Sequence, residues 1–312
     1  MGRFRVWEGE VKCLEKQHKT WHNLAVVKNK FSKIFILIVF AIFLVPALAS
    51  AHQPRITESR LTEVPSPEIS KAYYGKLTGE PDVYVINATE AFDLYVNVLV
   101  PDIKGQKKDV SAVVLKGGKE LAVLEGINFE WTKFYEPFGA DTYWKGPEYK
   151  ARAEAGTYEV RVWSSNNDSK YSLAIGEIEA FDGKEGMNAL TIIPKLKKNF
   201  FDESPISFIK SPFGWGMIVA MYTLAFVVGF TLKFIMKKFR KVSDVMAMKK
   251  MRNIGKSDRL IRLAIGVGLL LWTMLTTWSP ILIFLSGFAF FEAIFSWCGI
   301  YDVMGKNTCP IN

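Results

Sequence analysis

Apolar residues along this chain of 312 residues follow three different patterns. An apolar run of about a dozen residues begins at Ile34, short alternating segments occupy residues 69–193, and two long uncharged stretches follow at residues 213–232 and 263–291. Alternation predicts β strands, whereas an uncharged stretch of about 20 residues is long enough for a helix to span a membrane. The pattern predicts a multi-domain membrane protein with an all-β sandwich and three transmembrane α-helices.

The first apolar run has the layout of a secretory signal peptide. Lysines precede it, and Ala49, Ser50 and Ala51 follow it as a cleavage site. Residues 1–51 are therefore predicted to be a signal peptide with a long n-region, cleaved after Ala51. The alternatives are an uncleaved anchor, which would add a helix, and a true start codon downstream of Met1. Residues 52–68 are polar and contain spaced prolines, which predicts a linker.

Residues 69–193 are predicted to form the exported β sandwich. Short runs rich in Val, Tyr, Phe and Thr are separated by Gly, Pro, Asn and Asp at intervals of about 8 to 12 residues. The stretch GTYEVRVWSSNNDSKYSLAIG predicts a hairpin whose turn contains Asn166, Asn167 and Asp168, because these residue types tolerate positive φ. Six residues alternate onto one face of its two strands: Tyr158, Val160, Val162, Tyr171, Leu173 and Ile175.

The same stretch, preceded by YKARAE, resembles the closing strands of bacterial pre-peptidase C-terminal domains. These are small exported β sandwiches that serve as accessory modules of larger exported proteins. The resemblance implies a fold and an exported location, and it brings no catalytic residues.

Enzyme and cofactor motifs are not found in the sequence. No G-x-S-x-G, Walker or H-E-x-x-H pattern occurs, so a non-enzymatic protein without cofactor or metal is the prediction. Residues 129–149 are dense in aromatic side chains, which leaves two interpretations open: a platform for carbohydrate or peptide, or packing of core and loops.

The basic charge of the chain is concentrated beside its apolar runs. The formal net charge of +9 comes from residues 1–34 and 233–262, and the remainder of the chain is net acidic. Basic clusters that flank apolar runs are typical of cytoplasmic loops under the positive-inside rule, which argues against nucleic-acid binding. After the β domain, the sequence predicts a membrane-proximal segment at residues 194–212 and a transmembrane helix at 213–236. A basic cytoplasmic loop at 237–257 follows, then a helical hairpin at 258–297 that is divided at Pro280, and a cytoplasmic tail at 298–312.

The stretch NIGKSDRLIRLAIG at residues 253–266 opens the predicted hairpin. Ser257 is expected to cap its first helix, and Asp258 is expected to pair with Arg262 one turn later. The stretch resembles the start of the YgaP-type inner-membrane domain, N-x-G-x-x-D-R-x-x-R, and the tail resembles its end, C-P-L-Y-x-x-L-G-x-x-T-C. The matching residues are Asn253, Gly255, Asp258, Arg259, Arg262, Cys298, Tyr301, Gly305, Thr308 and Cys309.

The sequence departs from this family pattern at Gly299, Ile300 and Met304, where the family has Pro, Leu and Leu. The resemblance covers about a fifth of the chain and implies a two-helix unit in the bacterial inner membrane. It implies architecture more than activity, because the family is largely of unknown function.

Three side chains of this region are candidates for chemistry. Cys298 and Cys309 form a thiol pair that is suited to a transient disulfide, to sulfur transfer or to a soft metal shared with a second protomer, and packing of small residues is the alternative. Glu292 lies within the last predicted span, where a charge costs a few kcal/mol, so it should be protonated or paired. Its predicted role is either structural or the handling of protons and ions.

The sequence leads to two functional hypotheses. The first is a non-enzymatic multi-pass protein of the bacterial inner membrane, whose extracytoplasmic β domain binds an unidentified ligand or protein. Its expected partners are membrane lipid and a second copy, which Gly266 and Gly268 would allow to approach closely. The second is a thiol-redox or sulfur-handling membrane protein that uses Cys298 and Cys309.

Overall fold

The computed structural model describes residues 52–239 and 252–308. The predicted signal peptide, most of the predicted basic loop and Cys309 lie outside this range. Eleven strands come first among the described residues, from β1 to β11: Gln53–Ile56, Leu61–Glu63, Lys71–Lys76, Asp82–Ala88, Phe92–Pro101, Ser111–Lys116, Lys119–Leu124, Thr132–Glu136, Asp141–Ala153, Gly156–Trp163 and Lys170–Ile175.

The strands form two mixed sheets. One has the order β1-β3-β11-β5-β9-β8 and the other the order β2-β4-β10-β6-β7. Alternate residues of both sheets, such as Val96 and Leu173 in the first and Ile86 and Val160 in the second, meet in one hydrophobic core. The expected β-rich domain is confirmed, and its two sheets are held together by apolar burial.

Two expectations about the β domain are wrong. The predicted linker at residues 52–68 contains β1 and β2, which pair in parallel with β3 and β4 at the edges of the sheets. The predicted hairpin of β10 and β11 does not form, because β10 pairs with β4 and β6 while β11 pairs with β3 and β5. The turn at Asn167, whose φ is +48°, carries the chain from one sheet to the other.

The helices follow the β domain. They are α1 to α5 at Gly183–Asn199, Pro212–Phe239, Lys256–Leu275, Pro280–Phe295 and Gly299–Val303, with a 3₁₀ helix at Pro205–Lys210. Within the described residues, one helix is long and apolar enough to cross a membrane, over Pro212–Met236, and α4 is a shorter apolar helix. Three transmembrane helices therefore remain a prediction. The end of the predicted sandwich is also corrected, since residues 183–193 belong to α1.

Helix α4 packs between α2 and α3. Small residues make these contacts close: a Cβ added at Gly229 of α2 would lie 2.5 Å from the ring of Phe291, and one at Gly287 of α4 would lie 2.9 Å from Tyr222. A Cβ added at Gly266 of α3 would lie 3.1 Å from the ring of Phe290 of α4 in the same chain, whereas one added at Gly268 would contact no other segment within 4 Å. Gly266 therefore allows close packing of α3 on α4 within one chain. The predicted contact with a second copy stays a prediction.

The β domain contacts one end of this bundle through an apolar cluster, which we call the joint. The ring centroid of Phe138, at the tip between β8 and β9, lies 4.6 Å from that of Phe213 at the start of α2. The ring centroid of Phe208 lies 4.9 Å from that of Trp278, between α3 and α4.

Two hydrogen bonds also connect the segments of the joint. Ser211 Oγ donates to the carbonyl of Phe138 at 2.5 Å, and Trp278 Nε1 donates to the carbonyl of Pro205 at 2.7 Å. Of the aromatic segment at residues 129–149, Phe138 thus provides packing at the joint, whereas Phe134 and Tyr135 are exposed.

Candidate functional site: a clasp at the far end of the bundle

The end of the bundle opposite the joint is closed by contacts between the start of α3 and the tail of the chain. We call this group the clasp and define it as Asn253, Gly255, Asp258, Cys298 and Thr308. Asn253 is buried, and its side-chain amide donates to the carbonyl of Cys298 and accepts from the N–H of Cys298, both at 2.8 Å. One side chain therefore satisfies both backbone groups of a buried residue, as a neighbouring strand would.

Thr308 makes the second part of the clasp. Its N–H donates to the carbonyl of Asn253 at 3.1 Å, and its hydroxyl accepts from the N–H of Gly255 at 3.0 Å and donates to Asp258 at 2.6 Å. The expected cap at Ser257 is wrong, because Gly255 is the N-cap of α3 and has no side chain to cap it. Thr308 of the tail supplies the missing hydroxyl and so connects the cap residue to the carboxylate of the first turn.

The two arginines of the motif tie α3 to α4. Arg259 Nε donates to the carbonyl of Ala293 at 2.7 Å, and Arg262 forms an ion pair with Glu292. The expected pair of Asp258 and Arg262 is therefore wrong. Glu292 has 9% of its side chain exposed, so an unpaired charge there would be costly, and the guanidinium from the adjacent helix compensates it. Sequence reasoning identified Glu292 but missed Arg262 as its partner.

The ring of Tyr301 lies against the guanidinium of this ion pair. Its ring centroid lies 5.2 Å from the guanidinium carbon of Arg262 and 4.8 Å from the ammonium of Lys306. Both distances are within the range of a cation–π interaction. All of the motif residues within the described part of the chain except Gly305 therefore take part in one group of contacts at one end of the bundle.

Cys298 is placed for structure more than for reactivity. It is 1% exposed, and burial raises the pKa of its thiol, which keeps the sulfur protonated and weakly nucleophilic at neutral pH. Cys309 lies outside the described residues, so the pairing of the two thiols is untested. No group of three or more His, Cys, Asp or Glu side chains in residues 52–239 and 252–308 is arranged to hold a metal ion.

A buried ion pair beside the joint was not anticipated from the sequence. Lys197 of α1 has no exposed surface, and its Nζ lies 2.5 Å from a carboxylate oxygen of Asp141 and 3.2 Å from the carbonyl oxygen of Ala140. Burial raises the pKa of the Asp141 carboxyl, and the charge of Lys197 opposes that rise. The pair fastens α1 to the tip between β8 and β9, and neither residue lies in a motif that would have identified it.

The two ends of the bundle differ in which helix termini they contain. The joint collects the start of α2, the end of α3 and the start of α4. The clasp contains the start of α3 and the residues after α4, and Lys233 near the end of α2 lies 5.9 Å from the ring of Trp297 there. Each helix therefore runs from one end to the other, a distance of about 30 Å for the 20 residues of α3.

Comparison with known proteins supports the assignment of the clasp region. Residues 248–312 match the family model described as the transmembrane domain of inner membrane protein YgaP-like. The resemblance seen in NIGKSDRLIRLAIG and in the tail is thereby confirmed, and the match supports an inner-membrane protein. No curated protein matches the chain.

Two solved structures resemble parts of the chain. The pre-peptidase C-terminal domain of collagenase from Bacillus anthracis is 14% identical, with a TM-score of 0.24, over 37% of this chain and 92% of that one. A β-glucosidase from Paenibacillus barengoltzii is 12% identical, with a TM-score of 0.18, over 40% of this chain and 13% of that one. The β domain therefore has a weak structural neighbour in a pre-peptidase C-terminal domain.

Proposed function

We propose that this chain is a multi-pass protein of the bacterial inner membrane whose β domain lies outside the cytoplasm and acts as a non-enzymatic binding or scaffold module. The observation that carries the proposal is the separation of the joint and the clasp at opposite ends of one three-helix bundle. A bundle in the membrane would then hold the β domain on one side and the clasp on the other.

The arrangement of charge supports the orientation. Residues 233–262 carry eleven Lys or Arg against two acids, and they connect the end of α2 to the start of α3 at the clasp end. The positive-inside rule assigns such a loop to the cytoplasm. The joint and the β domain then lie on the outer side, as the predicted signal peptide would also require.

The joint supports a scaffold role. Phe138, Phe208 and Trp278 connect the β domain to the bundle through aromatic packing, and the ion pair of Lys197 and Asp141 fastens α1 to the same place. A domain mounted on a flexible linker would sample many heights and angles above the bilayer. This domain is instead presented in a fixed position, which suits a module that must meet a partner at a defined distance from the membrane.

Site-specific thiol labelling tests this topology. Glu130→Cys in the β domain and Lys306→Cys next to the clasp are both exposed positions, and each is introduced into a chain whose own cysteines are replaced by serine. An impermeant maleimide should label Glu130→Cys in intact spheroplasts and label Lys306→Cys only after the membrane is permeabilised. Labelling of both in intact spheroplasts, or the opposite pattern, would contradict the proposal. Sequencing of the mature N-terminus tests cleavage of the signal peptide.

A second candidate function, thiol or sulfur chemistry, is favoured by one observation. Asn253 holds Cys298 through its side chain and Thr308 through its backbone carbonyl. Thr308 directly precedes Cys309 in the sequence. The clasp therefore connects Cys298 and the residue before Cys309 through the same Asn253.

Mild oxidation of membranes tests this candidate. If the thiols act together, an oxidant should produce a disulfide within one chain, detected by loss of maleimide mass tags, and replacing both Cys298 and Cys309 with Ser should abolish function in the cell. If the double Ser variant keeps its function and its topology, thiol chemistry is rejected and the binding or scaffold role remains.

A further inference from the structure

A pocket of about 550 Å³ lies at the edge of the β domain where the chain passes from β1 to β2. We call it the edge pocket. Its walls include the residues between these strands together with Lys71 and Tyr73 of β3. The volume is within the range of small-molecule sites. Ile56, Leu61 and Pro65 provide apolar walls.

Lys71 brings a buried positive charge to the pocket. It is 5% exposed, and its ammonium donates to the backbone carbonyls of Pro65, Ser66 and Ile69 at 2.7, 2.8 and 3.4 Å. Within the described residues no carboxylate forms an ion pair with it. Burial, and next the charge of Arg55, lower its pKa to about 8, and the charge of Glu185 opposes this shift, so the ammonium form still predominates at neutral pH.

Arg55 is a fixed part of the same wall. Its guanidinium forms two hydrogen bonds with the carboxylate of Glu185 in the first turn of α1, at 2.8 and 2.7 Å. Its own charge is therefore matched. Glu58 and Glu63 also line the pocket, but both are exposed, so solvent screens their charges. The buried charge of the pocket is thus positive.

Tyr73 contributes an unused hydrogen-bond donor. The residue is 3% exposed, and its hydroxyl has no partner within the part of the chain that the structure describes. Burial raises the pKa of Tyr73 to about 12, so the hydroxyl keeps its proton. A buried hydroxyl without a partner is destabilising, and few native side chains are left in this state. Tyr73 of β3 is paired in register with Arg55 of the neighbouring strand β1.

We propose that the edge pocket binds a small carboxylate with an apolar body. The carboxylate would compensate Lys71 and accept the hydrogen bond of Tyr73, and the apolar body would contact Ile56, Leu61 and Pro65. The inference names a ligand class for the β domain, and it rests on the binding role proposed above.

Ligand-observed ¹⁹F NMR on the full chain in nanodiscs tests the proposal with 4-fluorobenzoate as the probe. Its neutral analogue 4-fluorobenzamide has the same shape and hydrogen-bond acceptor but no charge. We expect 4-fluorobenzoate to bind in the millimolar range and the amide to bind about fivefold to tenfold more weakly, because a hydrogen bond to a charged group is the stronger one. Equal binding of both probes, or no binding of the benzoate, would overturn the proposal.

Two variants locate the binding. Tyr73→Phe should weaken 4-fluorobenzoate about fivefold or more, since it removes the donor and keeps the ring, and Lys71→Met should do the same by removing the charge. The matched control is Tyr135→Phe on β8, whose ring is exposed and outside the pocket lining. If Tyr73→Phe bound 4-fluorobenzoate with unchanged affinity, the edge pocket would be rejected as its binding site, even if Lys71→Met failed to fold. Maleimide labelling reports the topology separately, so loss of benzoate binding with a correct topology would reject the pocket alone.

Discussion

The joint and the clasp close the two ends of the same helical bundle with different interactions. The joint is built from aromatic and aliphatic side chains, among which Trp278 is fully buried. The clasp is built from backbone groups and short polar side chains, with Asn253 at its centre. Apolar packing depends on volume and tolerates changes of chemistry within that volume, whereas a buried polar group requires a partner of the right kind at the right place. The two ends should therefore respond differently to substitution.

The largest effect is expected at the joint for Trp278→Ala. The change empties the space beside Phe208 and removes the hydrogen bond to Pro205, so the free energy of unfolding should fall by about 3–5 kcal/mol. Thermal unfolding of the full chain in detergent measures it. The matched control is Trp272→Ala on α3, whose ring is 64% exposed and should matter far less. Equal losses in both variants would show that the joint is not a packed core.

Asp141→Asn should have the next largest effect. It removes the carboxylate that forms the ion pair with the buried ammonium of Lys197, and breaking such a buried pair costs about 3 kcal/mol. The same unfolding measurement applies, and Asp168→Asn on an exposed turn is the control. Replacing Lys197 and Asp141 together with Met and Leu should recover most of the loss, because apolar residues of similar volume replace buried pairs well. Failure of that rescue would mean that the pair does more than fasten α1.

At the clasp, Asn253→Asp should destabilise by about 1–3 kcal/mol although the side chain keeps its size. The amide donor that binds the carbonyl of Cys298 becomes an acceptor, so two acceptors face each other in a buried site. Maleimide reactivity of Cys298 should rise as the clasp opens, and this rate is the measurement. Asn166→Asp, on the exposed turn after β10, is the control. A thiol that remained protected in Asn253→Asp would show that the amide is not what holds Cys298.

The smallest effect is expected for Thr308→Val, at about 1 kcal/mol. The substitution preserves shape and removes the hydroxyl that connects Gly255 to Asp258. Hydrogen exchange at the first turn of α3 should accelerate, while exchange at the joint should stay unchanged. Thr78→Val, an exposed threonine in the β domain, provides the comparison. Faster exchange at both ends would mean that the clasp and the joint are coupled through the helices.

The clasp was more accessible to sequence reasoning than the joint, for a physical reason. Asn253, Gly255 and Asp258 lie within six residues, so their polar character stands out next to an apolar run. Their partners in the tail were matched as a motif, but which residue binds which depends on the path of the chain. That is why Arg262 was assigned to Asp258 rather than to Glu292.

The joint gave no such signal. Phe138, Phe208 and Trp278 are spread over 141 residues. Phe138 and Trp278 lie in short connections, and Phe208 lies in a 3₁₀ helix of six residues, so none belongs to a periodic apolar pattern. The errors in the β domain have a related origin. Alternating residues look the same whether two strands pair within one sheet or face each other across two, so β10 and β11 resembled a hairpin. Prolines in the edge segment around β1 resembled a linker because an edge strand tolerates them.

The uncharged parts of the three helices of the bundle differ in length. In α2 the uncharged part covers residues 212–232, about 32 Å, and in α3 it has about 13 residues, about 20 Å, whereas the whole of α4 has 16 residues, about 24 Å. A hydrocarbon layer is about 30 Å thick, so lipid beside the hairpin would have to thin while lipid beside α2 would not. This hydrophobic mismatch on one side of the bundle would favour a thinner bilayer and would enrich short-chain lipid beside the hairpin.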